Sequence, residues 1–545
     1  MGVVGVVFTR VKFCVGSLVV AFARPKAGDK PQSSGGQCDQ PSGIEPVRTA
    51  VTSQGVPASL ARETAVSMKV LPSSPPPSSF SRERFTGSPY VCIRRTCSSS
   101  VRTIRLDFNQ KTALIPSNSE ELLDALMKVL IIGSGGREHA LAWKLAQSPR
   151  VRKVYCAPGN AGTAQLGENV ALDAEDIPAL VRYAKREAIG LTVVGPDDAL
   201  AAGIVDAFEL EGLRIFGPCA GAARLESSKI FAKNFMQRHG IPTAGAREFS
   251  ESLEAHAWCR GAKYPLVVKA DGLALGKGVV VAENPLQAAM AIHRAMDLGV
   301  FGEAGKKIVI EECLRGVECS IHALMDGSGY CLFPDAKDHK RAFDGDRGPN
   351  TGGMGTISPS GALDTSLIER VKAEVLDRFV AGINADGIAF RGMLFPGLML
   401  TEDGPKVLEF NCRFGDPETQ VLVRRLRSDL LDLLEACVDG AIATQRPEWD
   451  ERAAVCVVLA SGGYPGAYQK GKTIEGLEGA EAMKEVVVFH AGTKQDGRIV
   501  VTNGGRVIGV SALGADRNAA RELAYRAADT IRFDQIQRRE DIGAS

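Results

Sequence analysis

The chain has 545 residues, 45% of them hydrophobic and 24% charged, an ordinary composition for a protein with several globular domains. Lys and Arg number 65 and Asp and Glu 64, so no overall positive charge would attract nucleic acid or an anionic membrane. We therefore expect no nucleic-acid partner, and no membrane partner for the mature protein. The 13 cysteines form no CxxC pair, which favours reduced thiols over a zinc cluster or a disulfide framework.

Residues 1–126 are predicted to be a disordered targeting leader. The first 100 residues contain 12 Lys and Arg against 5 Asp and Glu and are rich in Ser and Pro. Basic, acid-poor segments of this kind are typical of transit peptides. We expect an organelle, the plastid stroma foremost, with mitochondrion and cytosol as alternatives. A signal-peptide core before the transit peptide, a plain disordered tail, and upstream sequence wrongly joined to the gene are the competing interpretations.

Residues 127–226 are predicted to form an α/β domain with a parallel sheet. The apolar run 128–132 predicts a strand buried on both faces, and a glycine loop, 133–139, and a helical segment follow it. This order aims backbone N–H groups at a phosphate. Glu138 stands at the third glycine position of the dinucleotide fingerprint, so the loop is a different one.

The middle of the chain, residues 227–445, contains the patterns that indicate nucleotide chemistry. Lys269 ends a predicted strand, and the following glycine loop, 270–279, contains Lys277. Cations in such positions hold nucleotide phosphates, although the spacing excludes a Walker loop. The predicted strand 307–312 ends in Glu311 and Glu312. A carboxylate there can bind ribose hydroxyls, and a solvated strand end is the alternative.

A predicted strand near residue 410 carries a polar face. Alternation places Glu409, Asn411 and Arg413 on one side and Phe410 and Cys412 on the other. Carboxylate and amide oxygens side by side suit Mg²⁺, and an arginine beside them can grip a carboxylate with two hydrogen bonds. A half-buried strand with a polar surface explains the alternation but not the choice of residues.

Two other segments bear on this prediction. The segment 348–355 has so many glycines that we expect a loop approaching a ligand with its backbone. Pro396 lies within the strand-like run 393–400, where a central strand would be weakened.

The run 413–420 resembles the signature of the phosphoribosylamine–glycine ligase family, the glycinamide ribonucleotide synthetases. The resemblance extends from residue 127 to about 542 and includes the segments 133–139, 158–163, 270–278, 338–341, 348–355, 490–493 and 502–507. It implies a mixed α/β fold of three parts, an N-terminal parallel-sheet domain, a two-lobed α+β ATP-grasp body and a small C-terminal domain, 446–545. It also implies that ATP phosphorylates glycine, and that 5-phosphoribosylamine then displaces phosphate.

The resemblance further implies roles for individual residues. Those implied to hold ATP are Lys229, Lys269, Gly276, Lys277, Gly278, Glu311, Glu312, Leu314 and Glu318. Those implied in catalysis are Arg413, Lys269, Asp338 and Lys340. Those implied to hold Mg²⁺ or Mn²⁺ are Glu409 and Asn411. Those implied to bind glycine and phosphoribosylamine are Gly135, Gly136, Arg137, Glu138, His139, Asn160, Asp197, Asn350, Thr351, Gly352, Gly353, Arg413 and Asp416.

The implied partners are glycine, 5-phosphoribosylamine and ATP, and a monomer or weak homodimer is expected. Asp197 departs from the family, which usually has glutamate there, and Leu275 replaces a small residue. Two alternative functions stay open at this point. One is another ATP-grasp carboxylate–amine ligase or a related purine carboxylase, and the other is a non-catalytic nucleotide-binding homologue.

Overall fold

The computed structural model describes residues 126–274 and 278–544, together with the backbone of four strands nearer the N-terminus. These strands form two antiparallel pairs, Gly5–Phe13 with Gly16–Arg24 and Ile93–Arg94 with Thr103–Ile104. The predicted disordered leader otherwise lies outside the described residues and stays a prediction. Among the helices that the structure describes, none is long and apolar enough to cross a membrane.

Residues 127–226 form an α/β unit around a five-stranded sheet whose strands are all parallel. In spatial order the strands are Glu168–Asn169, Val151–Pro158, Met127–Gly133, Leu191–Val194 and Ile215–Phe216. The first strand in sequence is central and buried, as its continuous apolar run predicts. The helices are Gly136–Leu145, Thr163–Leu166, Ile177–Arg186, Asp197–Ala201, Ile204–Leu210 and Ala220–Ser227.

The middle segment contains two larger antiparallel sheets. The first has four strands in the order Ala246–Phe249, Ile308–Glu312, Leu266–Ala270 and Val279–Ala282. The second contains Val317–Ser320, Gly392–Thr401, Ala323–Met325, Tyr330–Leu332 and Gly404–Asn411. The α-helices are Lys229–Arg238, Ser252–Cys259, Pro285–Ile292, Thr365–Val371, Asp377–Ala385, Thr419–Arg425 and Leu430–Val438. Two π-helical turns, His293–Asp297 and Lys372–Leu376, and two 3₁₀ turns, Gly302–Gly305 and Ile442–Thr444, complete this segment.

The C-terminal part is built on a six-stranded antiparallel sheet that takes two of its strands from the middle segment. These two are Lys337–Asp338 and Gly355–Ser358, and the others are Ala453–Ser461, Arg506–Gly514, Val486–His490 and Ile536–Gln537. The helices Leu477–Glu481 and Arg517–Ala528 accompany it, and the hairpin of Thr493–Asp496 and Ile499–Thr502 stands apart. The mixed α/β fold class, with its parallel N-terminal sheet, is therefore confirmed.

The structure adds detail to two local expectations from the sequence. The strand Gly392–Thr401 continues through Pro396. At that position one edge of the strand changes its partner from Val317–Ser320 to Ala323–Met325. The N–H group that proline lacks is therefore missing at a point where the hydrogen-bond ladder is already irregular. The segment 348–355 is also only partly a loop. Arg347–Asn350 pairs with Arg341–Phe343 as a hairpin of its own, and such an edge position tolerates Pro349.

Candidate active site

A cleft of about 1000 Å³ is enclosed by all three parts of the chain. It collects most of the residues that the sequence suggested. Those implied in nucleotide binding, metal binding or catalysis that line it are Lys229, Lys269, Gly278, Glu311, Glu312, Leu314, Glu318, Asp338, Lys340, Glu409, Asn411 and Arg413. Those implied in binding the other substrates are Arg137, Asp197, Asn350, Thr351, Gly352 and Asp416.

Three lysines form one wall of the cleft. Lys269 Nζ lies 2.9 Å from Glu311 Oε2 and donates to the carbonyl of Leu408 at 3.1 Å. Lys233 Nζ lies 3.2 Å from the other oxygen of the same carboxylate, so Glu311 bridges two lysines. Burial lowers the pKa of Lys233 to about 8 and also lowers the pKa of Lys229. Lys233 and Lys269 share the single negative charge of Glu311. The excess positive charge suits this wall to bind a polyphosphate.

Lys229 owes its position to the start of its helix. Ser228 caps Lys229–Arg238 by accepting from the backbone N–H of Phe231 at 3.1 Å, and its hydroxyl donates to Asp271 at 3.0 Å. Lys229 Nζ donates to the carbonyl of Gly272 at 2.8 Å. The helix start is therefore tied to the loop after strand Leu266–Ala270, which holds Lys229 and Lys269 in one cleft.

Lys340 lies between two carboxylates from different strands. Its Nζ is 2.7 Å from Glu318 Oε1 and 3.9 Å from Glu409 Oε1. The two carboxylates outweigh burial and raise the pKa of Lys340. Burial would raise the pKa of Glu409, but Lys340, Lys269, Lys229 and Arg413 together lower it. Glu409 is therefore ionised, and the structure groups Glu318 with Lys340 and Glu409.

Asn411 and Arg413 follow Glu409 on the same face, while Phe410 and Cys412 are buried on the other. Asn411 Nδ2 donates to the carbonyl of Phe395 at 3.1 Å, and its Oδ1 accepts from Arg413 Nη2 at 3.2 Å. The amide oxygen is thus turned toward the charged side of the strand. Arg413 also contacts Glu226, 3.0 Å from Nη2 to Oε1.

The loop after the hairpin is tied to both the middle segment and the C-terminal sheet. The Thr351 backbone N–H and its hydroxyl both donate to the carbonyl of Lys340 at 2.8 Å. Arg506 donates to the carbonyl of Gly352 at 2.6 Å and to Asp416 Oδ2 at 3.0 Å, and Gly352 N donates to the hydroxyl of Tyr464 at 3.0 Å. These contacts fix the loop against the turn that contains Asp416.

Three further acids make the cleft electrostatically unusual. Burial raises the pKa of Asp338 well above its ordinary value, and the negative charge of Glu418 adds to this effect. Burial also raises the pKa of Glu418. Asp338 Oδ1 is buried and has no hydrogen-bond partner among the residues that the structure describes. Burial raises the pKa of Glu226 to about 7, although Arg413 acts in the opposite direction. Perturbed carboxyl groups gathered in one cleft are typical of an active site.

Several residues suggested by the sequence do not line the cleft. They are Gly135, Gly136, Glu138, His139, Asn160 and Gly353. Gly276 and Lys277 lie outside the described residues. Gly353 has a positive φ of 112°, and a Cβ there would lie 2.5 Å from Asp338 Oδ1, so this glycine allows a close approach behind the cleft wall.

Glu138, His139 and Asn160 make structural contacts in this arrangement, and their implied role in binding substrate stays a prediction. Glu138 accepts from the backbone N–H of Gly135 at 2.5 Å and from Arg137 Nε at 2.6 Å, so it shapes the glycine loop. His139 Nδ1 accepts from the backbone N–H of His490 at 2.8 Å, and Asn160 Nδ2 donates to the carbonyl of His490 at 2.9 Å. Both therefore join the N-terminal domain to the C-terminal sheet.

Sequence reasoning missed several residues of the cleft, among them Glu226, Lys233, Arg506 and Tyr464. Lys233 had a usable signal, since it follows Lys229 by four residues and so shares its helix face. Arg506 belonged to a segment of the family resemblance but carried no charge pattern of its own. Glu226 and Tyr464 had no signal in the sequence.

The fold and the site define the class of protein. The two larger antiparallel sheets of the middle segment enclose a cleft that contains lysines, a carboxylate and an amide. This arrangement is that of an ATP-grasp protein. The chain belongs to the phosphoribosylglycinamide synthetase family. The family models match its N domain at residues 127–226, its ATP-grasp (A) domain at 227–419 and its C domain at 454–545.

Individual relatives agree with this assignment. Phosphoribosylamine–glycine ligase from Allochromatium vinosum is 51% identical over 420 residues, which are 76% of this chain and 98% of the relative. The solved structure of phosphoribosylamine–glycine ligase from Thermotoga maritima is 34% identical, with a TM-score of 0.66 over 76% of this chain and 100% of that one. A biotin carboxylase domain from Hydrogenobacter thermophilus, 15% identical with a TM-score of 0.61 over 76% of this chain and 92% of that one, shares the fold alone.

Proposed function

We propose that this chain is an ATP-dependent ligase that joins glycine to 5-phosphoribosylamine and forms glycinamide ribonucleotide, ADP and phosphate in purine biosynthesis. The first step is attack of the glycine carboxylate on the terminal phosphorus of ATP, which gives glycyl phosphate and ADP. The amine of phosphoribosylamine then attacks the acyl carbon. Phosphate leaves with the bridging oxygen, and the nitrogen loses one proton.

The observation that carries this proposal is the juxtaposition of three cationic lysines with Glu409, Asn411 and Arg413 in one cleft. A carboxylate and a triphosphate repel each other, so their reaction needs cations around the transferred phosphoryl group. Lys229, Lys269 and Lys340 supply that charge from three different elements. Arg413, two residues after the strand ends at Asn411, is suited to bind the carboxylate of glycine with two hydrogen bonds.

The oxygens present fit a divalent cation. Glu409 is held ionised by its neighbours, and the amide of Asn411 is oriented by the carbonyl of Phe395 so that its oxygen is turned away from that partner. The described residues contain no group of three or more His, Cys, Asp or Glu that would enclose an ion, so phosphates and water would complete its shell, as Mg²⁺ prefers. We propose that Glu409 and Asn411 hold Mg²⁺ or Mn²⁺, which would neutralise phosphate charge.

Other residues that line the cleft are suited to bind phosphoribosylamine. Arg137 and Asp197 come from the N-terminal domain, and Asn350, Thr351 and Gly352 from the loop beyond the hairpin. These groups offer charged and neutral hydrogen-bonding partners for a phosphate and for sugar hydroxyls. Asp338, whose pKa is raised by burial and by Glu418, adds a carboxyl group to the lining of the cleft.

A coupled assay of ADP release tests the proposed reaction. ADP should form only when glycine and freshly prepared phosphoribosylamine are both present with Mg²⁺. Equal ADP release with bicarbonate in place of glycine would identify the carboxylase alternative instead. Nucleotide binding without ADP release under any of these conditions would identify a non-catalytic homologue.

We also propose that the leader, residues 1–126, directs the protein to an organelle, the plastid stroma foremost. The support is its excess of Lys and Arg over Asp and Glu and its Ser- and Pro-rich composition. For the assembly state, a monomer or a weak homodimer is proposed, and sedimentation at several protein concentrations would test it.

A further inference from the structure

Glu226 is a buried carboxylate in the cleft wall to which neither the sequence nor the family resemblance gave a role. It lies near the end of helix Ala220–Ser227, and its side chain is 8% exposed. Its Oε2 accepts from the backbone N–H of Cys412 at 2.6 Å, and its Oε1 lies 3.0 Å from Arg413 Nη2. One carboxylate therefore contacts two consecutive residues of the strand end that carries the site.

These two contacts fix different parts of the same structure. Cys412 lies between Asn411 and Arg413, so the bond to its N–H holds the backbone from which both side chains project. The bond to Arg413 fixes the guanidinium itself. The other hydrogen bonds of Arg413 are to neutral oxygens and are longer, 3.2 Å to Asn411 Oδ1 and 3.4 Å to the carbonyl of Phe414. The contact with Glu226 is thus the shortest that Arg413 makes, and Glu226 is the acidic one among these partners.

We propose that Glu226 is a positioning residue that holds Arg413 in the orientation needed to bind the carboxylate of glycine. The proposal rests on the proposed function, in which Arg413 binds glycine. A planar guanidinium gripped on one edge presents its remaining N–H groups in a fixed direction. Because Cys412 anchors the other oxygen of Glu226, the carboxylate is a fixed support that does not need to leave when the substrate enters.

Glu226→Gln is the informative substitution. Cys412 N–H and Arg413 can only donate, whereas an amide has one accepting oxygen. No orientation of the amide therefore serves both donors, while the size of the side chain is preserved. Loss of a charged hydrogen bond of this kind typically changes binding by roughly tenfold to a hundredfold. We expect the KM for glycine to rise by that factor, while the KM for ATP changes less than about threefold.

Glu226→Asp and Glu435→Gln complete the set. Aspartate keeps the charge but is shorter by one methylene, so the KM for glycine should rise less than in Glu226→Gln. If Glu226→Gln does not fold, the KM for glycine of Glu226→Asp provides the test instead. Glu435 is the matched control, because its carboxylate likewise contacts two donors, Arg150 and Arg214, but lies outside the cleft. Its substitution should leave both KM values unchanged.

Arg413→Ala separates this proposal from the function on which it rests. If Arg413→Ala does not change the KM for glycine, the assignment of Arg413 to glycine is wrong. If Arg413→Ala raises that KM and Glu226→Gln leaves it unchanged or lowers it, the positioning role is wrong, since a freed arginine would then bind glycine as well or better. If Glu226→Gln lowers the melting temperature and leaves all KM values alone, Glu226 only stabilises the fold. In the Arg413→Ala background, Glu226→Gln should have no further effect on the KM for glycine.

Discussion

Lys340 Nζ lies 3.9 Å from Glu409 Oε1, and the two residues belong to different segments of the middle of the chain. Against the effect of burial, the attraction between them helps to lower the pKa of Glu409 and to raise that of Lys340, so both side chains are held in their charged forms. The site is therefore preorganised. Charged groups held in place beforehand cost little reorganisation when the phosphoryl group is transferred.

Glu409→Ala should lower kcat by at least about a hundredfold, because it removes the carboxylate on which the metal-binding proposal rests. The fold should survive, since Glu409 faces the cleft rather than the core. Steady-state kinetics at saturating Mg²⁺, together with a melting curve, would check this. The matched control is Glu402→Ala, an exposed glutamate in the turn before the same strand, for which we expect normal turnover. Near-normal kcat in folded Glu409→Ala would remove Glu409 from the metal site.

Asp197→Ala should raise the KM for phosphoribosylamine, because it leaves sugar hydroxyls without a partner. We expect a loss of about 1–3 kcal/mol in kcat/KM, whereas Asp197→Glu should change that KM only modestly. The KM values for glycine and ATP should hardly move. Asp198→Ala is the control, since Asp198 is the exposed neighbour on the same short helix.

The competing explanation for Asp197 is that it merely caps the helix Asp197–Ala201. The structure argues against this, because Pro196 occupies the N-cap position and no side chain makes a capping hydrogen bond there. If Asp197→Ala nevertheless lowered the melting temperature and left all three KM values unchanged, the residue would be a structural one after all.

Local periodicity explains which parts of the site could be predicted. Glu409, Asn411 and Arg413 were predicted together from strand alternation, and all three line the cleft, although the strand ends at Asn411. The family resemblance implied that His139 binds substrate, and the structure does not include it in the lining of the cleft. The helix Gly136–Leu145 turns its ring instead toward Phe489 and His490 of the C-terminal sheet, with ring centroids 5.7 and 5.6 Å away.

Other parts depended on tertiary contacts that no sequence window contains. Glu226 meets Arg413 across 187 positions of the chain, and Arg506 meets Asp416 across 90. Pro396 was expected to weaken a central strand, and only the fold shows that one edge of the strand changes partner at that position. Helix and strand patterns therefore predict the elements, while the pairing of buried charges has to be read from the fold.

The stability of the protein should fall as the pH falls below about 6.5. Burial lowers the pKa of His139 to about 3 and that of His490 to about 4, so both are neutral in the folded protein but become charged in the unfolded chain below pH 6.5. Between pH 6.5 and its pKa in the folded protein, each histidine therefore lowers the free energy of unfolding by about 1 kcal/mol for every pH unit of acidification. The stabilising contribution is complete above pH 6.5 and is lost on acidification.

His139→Gln tests this account of acid sensitivity. Glutamine cannot be protonated but can still accept from the backbone N–H of His490. Chemical denaturation between pH 7 and 4.5 should show a smaller loss of stability in the variant than in the wild type, by about 1 kcal/mol per pH unit. Parallel curves for the two proteins would show that His139 does not contribute.

A chain beginning at Met127 should be soluble and as active as the full-length protein. The family models start at residue 127, and Met127 is the first residue of the central strand of the N-terminal sheet. A fluorescent protein fused behind residues 1–126 should enter an organelle. A diffuse cytosolic signal would contradict the targeting proposal, and an inactive or insoluble short chain would show that the leader takes part in folding.

The central claim is that ATP activates the carboxylate of glycine, and oxygen transfer tests it most directly. Glycine labelled with ¹⁸O in both carboxylate oxygens is supplied with ATP and phosphoribosylamine, and the phosphate and the amide product are analysed by mass spectrometry. If phosphate leaves with the bridging oxygen, each phosphate released should contain one ¹⁸O, and each amide should retain the other. Unlabelled phosphate formed together with ADP would contradict the account, because the glycine carboxylate would then never have been phosphorylated.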